Sequence, residues 1–165
     1  MDATTLRSLQ APIKAQYSDD PDSAVITLNA TGKLGEGLTC KVETGGKIAE
    51  AGLHPATGGD GLSLCSGDML LEALVACAGV TLNAVATAIE VDIRDATVTA
   101  EGDLDFRGTL GVSKEAPVGF KNIRLNFDID TDADQEQIDT LIKLTERYCV
   151  VFQSISSTPE MTVSY

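Results

Sequence analysis

Residues 61–82 run GLSLCSGDMLLEALVACAGVTL, and the reading of this stretch decides the fold. Ser66 is a good helix N-cap, because its hydroxyl can accept an N–H of the first turn. Asp68 sets a negative charge against the positive end of the helix. The apolar run continues to about Ile89, which predicts a helix of roughly 36 Å. Met69, Leu70, Leu71, Leu74, Val75, Val80, Leu82 and Val85 surround most of its circumference, so the helix is expected to be buried on several sides as the spine of the core. Glu72, Thr81, Asn83 and Thr87 interrupt the run and argue against a membrane span.

Toward the N-terminus, Ala24, Ile26, Leu28 and Ala30 alternate with other residues, as do Leu38, Cys40 and Val42, which predicts two strands joined by a turn around Gly32 to Gly37. A glycine-rich loop from Gly45 to Gly61 then leads to the helix, long enough to cover a site. Toward the C-terminus, Val98, Ala100, Leu104 and Phe106 alternate with Thr97, Thr99, Glu101, Asp103 and Asp105. Ile123, Leu125, Phe127 and Ile129 alternate with Arg124, Asn126 and Asp128, so both segments predict half-exposed antiparallel strands. Thr131, Asp132 and Asp134 open a helix whose stripe is Ile138, Leu141, Ile142 and Thr145, with Lys143 and Arg147 suiting its last turn. The apolar stretch from Tyr148 to Ile155 either continues that helix or starts a short one. After Thr158-Pro159, Met161, Val163 and Tyr165 alternate as a last short strand. The order β-β-α-β-β-α-β with antiparallel pairing predicts an α+β fold.

The chain has 165 residues, enough for a single domain over 1–165, with residues 1–23 as an N-terminal extension or arm. Apolar residues make up 43% and charged residues 22%, the composition of a globular protein. A formal net charge of −13 repels phosphate backbones and anionic lipid, so neither nucleic acid nor membrane is an expected partner. The first residues, Met1-Asp2-Ala3-Thr4-Thr5, carry no basic stretch before an apolar run and do not resemble a secretory signal, which makes the cytoplasm the expected compartment. Four cysteines without CxxC spacing and a single histidine, His54, predict no metal site. Any hydrolase triad would have to use His54, and no GxSxG elbow is present. Gly58-Gly59-Asp60-Gly61 lacks the lysine of a phosphate-binding loop and fits a surface turn.

Three readings of the cysteines follow from position. Cys40 alternates inward with Leu38 and Val42 and is expected to behave as a small hydrophobe. Cys65 precedes the start of the long helix, where exposed amides lower a thiol pKa. Cys77 has Ala73, Leu74, Val80 and Thr81 as helical neighbours, an apolar setting that raises a thiol pKa and favours a structural role. Cys149 follows Arg147, which faces elsewhere on a continuous helix, and pattern alone assigns it no role.

Residues 61–82, with their small-acidic start and alanine-flanked cysteine, resemble the cysteine-bearing helix of the OsmC/Ohr family. The stretch ERYCVVFQSI, residues 146–155, resembles that family's second-cysteine helix, and the likeness covers roughly residues 25 to 165. The resemblance implies an α+β fold with antiparallel sheets around a long central helix, assembled as an intertwined homodimer. It further implies a thiol-dependent peroxidase for organic hydroperoxides in oxidative-stress defence, with Cys77 as the peroxidatic and Cys149 as the resolving thiol, an external dithiol as reductant, and no cofactor. Asp68, Glu72, Cys65 and Arg7 are candidate accessories. Asp68 matches the family carboxylate but stands half a helical rotation from Cys77, and Arg7 is a candidate for the activating arginine because it precedes the first strand. Arg124 points to solvent by strand parity. The family's proline after the second cysteine is Val150 here, so the helix need not break at that point. The other reading is a non-catalytic small-molecule-binding or stress protein on the same fold.

Overall fold

A computed structural model describes residues 3–34, 40–42, 51–61 and 64–165. In chain order they form helix α1 (Ala3–Asp19), strands β1 (Val25–Leu34), β2 (Cys40–Val42), β3 (Ala51–Gly52) and β4 (Leu64–Cys65), and the long helix α2 (Ser66–Ala88). Strand β5 (Asp95–Asp105), the short helix α3 (Phe106–Thr109), strand β6 (Phe120–Asp130) and helices α4 (Gln135–Tyr148) and α5 (Val150–Ser156) complete it. The architecture is α+β, with a four-stranded sheet in the order β2-β1-β5-β6 and a separate β3-β4 pair.

β1 and β2 pair antiparallel, Gly32 opposite Val42 and Leu34 opposite Cys40, so β1 continues past Gly32, where a turn was expected. The connecting residues 35–39 and much of the glycine-rich loop, residues 43–50, lie outside the described residues. The part of that loop that is described holds a single 3-10 turn, Pro55–Thr57, with His54 as its cap and Gly58 in the left-handed region at φ 92°. Gly59 follows because a Cβ there would lie 1.7 Å from the Leu53 carbonyl oxygen. β3 and β4 pair parallel.

The expected helix at 66–89 forms as α2. Its length and hydropathy would suffice to cross a bilayer, but Leu71, Leu74, Val75, Ala78 and Leu82 are buried inside the protein. β5 keeps the expected parity, with Ala96, Val98, Ala100 and Leu104 buried, until its last residue. There Asp105 turns inward, accepts the Arg107 N–H at 3.1 Å as the cap of α3, and forms an ion pair with the Arg107 guanidinium at 2.5 Å. Phe106 therefore starts a helix and does not extend the strand. α4 begins later than Thr131: Asp134 is its cap, accepting the Gln137 N–H at 2.9 Å while Gln137 Oε1 accepts the Asp134 N–H at 3.1 Å. Thr131 instead donates to the Asp92 carbonyl at 2.6 Å.

Residues 3–19 of the expected extension or arm form α1, whose Tyr17 is buried and donates its hydroxyl to the Ala56 carbonyl at 2.8 Å. The expected last strand is corrected. Met161, Val163 and Tyr165 form no strand, and all three are exposed.

The chain divides into two compact units. The first comprises residues 1–30, 44–71 and 100–125 and includes α1, the 3-10 turn at 55–57, α3 and the start of α2. Inside it His54 stacks on Phe106 with ring centroids 5.0 Å apart, and Arg124 on β6 bridges Glu101 and Asp103 on β5 at 3.1 and 2.6 Å. The second comprises 31–43, 72–99 and 126–165. Its core gathers Leu74, Val75, Leu82 and Val98 with Leu141, Thr145 and Cys149, all at most 2% exposed. Arg94 ties Asp130 and Asp132 together at 2.5 Å each.

Candidate active site

The second unit holds two thiols side by side. α2 carries Cys77 at its midpoint, half-buried. Cys149 is fully buried between α4 and α5, with extended backbone (φ −72°, ψ 105°) that ends one helix and starts the next. Its N–H donates to the Thr145 carbonyl at 2.9 Å, the last bond of α4. Its carbonyl accepts the Gln153 N–H at 2.9 Å, the first bond of α5. Its sulfur accepts the Phe152 N–H at 3.4 Å, the place an N-cap oxygen takes in most helices. A cysteine acting as a cap thus breaks the helix with no proline present, and of the two readings of residues 148–155 the separate short helix is the one that forms.

The break leaves the first N–H groups of α5 without partners inside the helix. The amides of Val151 and Val150, the Cys149 thiol and the Thr81 hydroxyl are the groups that act to lower the Cys77 thiol. Burial alone pushes the Cys77 thiol up, but these donors together outweigh it and bring it below the ordinary thiol value. The reading of Cys77 as a raised, inert thiol is corrected on that point: its helical neighbours are apolar, but its neighbours from α5 are donors. Cys149 goes the other way, pushed up to about 11 by burial, with Cys77 disfavouring a second negative charge. The pair therefore gives up its first proton from Cys77. Both thiols are reduced, and an activated thiolate in contact with a second thiol is an arrangement that can attack an electrophile and then close a disulfide.

The other sequence candidates lie elsewhere. Cys65, half-buried in the first unit, lines a mostly apolar cavity of about 390 Å³ with Leu53, His54, Leu70, Phe106 and Phe120. Asp68 is also in the first unit, its carboxyl raised by burial and drawn back by the nearby His54. His54 Nδ1 accepts the Ala56 N–H at 3.0 Å and so caps its own turn. Glu72 is half-buried on α2 in the second unit. Arg7 lies on α1 and Cys40 on β2, and the side chains of both are outside the described residues. Arg124 is exposed and ion-paired, as strand parity predicted, and Arg147 lies 5.5 Å over the Tyr148 ring. Sequence reasoning missed Thr81 as a donor. The available signal was its position one helical turn after Cys77, where i and i+4 side chains meet.

The chain belongs to the OsmC-like protein family, whose model matches residues 58–164. The crystal structure of an OsmC-like hydroperoxide resistance protein from Jannaschia sp. CCS1 is similar to it at a TM-score of 0.60, with 15% sequence identity over 84% of this chain and 91% of that one, and shows the same fold. No curated protein matches the chain.

Proposed function

We propose that this protein is a cysteine-based peroxidase that reduces organic hydroperoxides in oxidative-stress defence. The observation that carries the reading is a pair of thiols in one unit that act on each other, Cys77 lowered and Cys149 raised from the ordinary thiol value. The Cys77 thiolate attacks the terminal peroxide oxygen, the O–O bond breaks, and the departing alkoxide takes a proton to leave as the alcohol. Cys77 is then a sulfenic acid. Cys149, giving up its proton, attacks that sulfur and expels hydroxide, which becomes water, and a disulfide remains. An external dithiol reduces the disulfide by two exchange steps. Leu74 and Val80, near Cys77 by helical spacing, favour an organic peroxide over hydrogen peroxide. The family resemblance supports a homodimer, and reduction by a dithiol suits the cytoplasm.

The test is titration with cumene hydroperoxide, followed by mass-spectrometric disulfide mapping. The expected product is a Cys77–Cys149 linkage, with turnover lost in Cys77→Ser. Turnover in Cys77→Ser equal to that of the parent would sink the reading. The cavity of about 390 Å³ in the first unit supports a second reading, non-catalytic small-molecule binding on the same fold. That reading expects no Cys77-dependent turnover at all.

A further inference from the structure

The first unit gathers aromatic rings at one cavity, and neither Cys77 nor Cys149 lines it. The chain has four phenylalanines and one histidine, and Phe106, Phe120 and His54 all line this space of about 390 Å³. His54 is held from several sides. Its Nδ1 accepts the Ala56 N–H at 3.0 Å, its carbonyl accepts the Thr57 N–H and hydroxyl at 2.8 Å each, and its ring stacks on Phe106. Tyr17 pins the same turn through the Ala56 carbonyl at 2.8 Å. Because Nδ1 accepts, the ring proton sits on Nε2, which has no hydrogen-bond partner among the described residues. Phe120 lies across Gly102, where any side chain would overlap its ring. Leu53, Leu70 and Val118 add exposed apolar surface to the wall, and no lysine or arginine is among the described lining residues. Asp68, whose carboxyl is drawn down by His54, is not a lining residue either.

We propose that this cavity binds a neutral aromatic molecule of two fused rings that carries one hydrogen-bond acceptor. This rests on the small-molecule reading of the cavity and makes no use of Cys77. Three rings in one wall favour a ring between them, since aromatic faces and edges attract beyond the area they bury. The Nε2–H of His54 is the donor that an acceptor on the ligand would meet, a polar group fixed in an otherwise apolar lining. An anion would leave water for a wall without a lysine or arginine, in a chain whose net charge is −13. A cation would face the same N–H and be repelled by it. The volume holds about 13 non-hydrogen atoms at roughly 30 Å³ each, the size of two fused rings with a small substituent. The turn that carries His54 is already held in place, so little ordering opposes binding.

The probe is methyl naphthyl ketone, added to the untagged full chain. Binding is read from the ring signals of His54, the chain's single imidazole, in proton NMR. Its place is read from iodoacetamide alkylation of Cys65, which lines the cavity, with the Cys77 peptide followed in the same digest by mass spectrometry. The His54 signals should shift to saturation and Cys65 should be protected in parallel, with Cys77 alkylation unchanged. Naphthoate, of the same outline but charged, should bind at least about tenfold more weakly. Ethylnaphthalene, which lacks the acceptor, and a straight-chain ketone of equal size should each bind about fivefold more weakly. Phe120→Ala should weaken the ketone about tenfold, with Phe120→Leu read in its place if circular dichroism shows the alanine variant unfolded. Naphthoate or the straight-chain ketone binding as well as the probe overturns the proposed class and leaves small-molecule binding standing, as does an unchanged affinity in the folded Phe120 variant. No protection of Cys65 by any of the four compounds, or protection of Cys77 in its place, removes both. Cys65 protection that rises with protein concentration alone assigns the cavity to a second copy of the chain and overturns the proposal. Peroxide turnover in Cys77→Ser decides the peroxidase reading separately from all of these.

Discussion

At the scale of single residues, the division of acidity between two adjacent thiols sets the order of events. Because Cys77 is lowered and Cys149 is raised to about 11, the thiolate fraction of Cys77 grows first as pH rises. The peroxide-consumption rate should increase from acid pH through a midpoint below the ordinary thiol value and then level off, with no dependence on Cys149 ionisation until strongly alkaline pH. A rate that keeps rising up to the Cys149 value would mean that Cys149 attacks first. Cys149→Ser should leave Cys77 oxidised as a sulfenic acid that dimedone traps, with dithiol-supported turnover falling at least about tenfold while the first equivalent of peroxide is still consumed. The sequence marked both cysteines but not their acidities, because acidity depends on which atoms α5 brings to Cys77, and these are backbone amides that no side-chain pattern encodes. Thr81 was visible as a neighbour of Cys77, but spacing alone does not say that its hydroxyl lowers the thiol.

Helices and strands were legible where one face met one core. α2, β5 and β6 have strong periodicity and appear within three residues of their expected ends. α1 was not read, since Pro12 interrupts it and its only apolar spacing of note is Leu6, Leu9, Ile13 and Tyr17. The break at Cys149 needed a sulfur acting as a cap, which sequence rules for oxygen caps do not anticipate. The exit from α2 offers a test of local backbone energy. Glu90 has φ 59°, and the Val91 and Glu90 N–H groups donate to the Ala86 and Thr87 carbonyls at 2.9 and 3.4 Å, the closing motif that favours glycine at this position. Relief of left-handed strain should exceed the added freedom of the unfolded chain, so Glu90→Gly should stabilise the protein by about 0.5–1 kcal/mol in urea denaturation. Leu141 is fully buried on α4, and Leu141→Ala should cost about 2–5 kcal/mol in the same assay. No effect, or one of opposite sign, for either substitution would refute the corresponding account.

For the whole molecule, the proposed homodimer supplies a cover for exposed apolar residues. Met161, Val163 and Tyr165 alternate like one face of a strand but are 80%, 87% and fully exposed. β6 is an edge of the four-stranded sheet, and its expected inward residues Ile123, Leu125, Phe127 and Ile129 are only half-buried. Among the described residues, a strand pattern without a partner strand and a sheet edge without a neighbour are complementary deficits, which one copy can satisfy for another by adding a strand to the edge. Two copies each at −13 repel, so association should tighten as salt screens that repulsion, the reverse of a charge-driven interface. Sedimentation velocity of the full chain should therefore give a dimer whose dissociation weakens from 20 to 300 mM salt, and removal of residues 158–165 should shift it to monomer while the helical signal in circular dichroism persists. A shortened chain that remains a dimer at the same concentration would place the interface elsewhere and leave the alternation of Met161, Val163 and Tyr165 without a role in assembly.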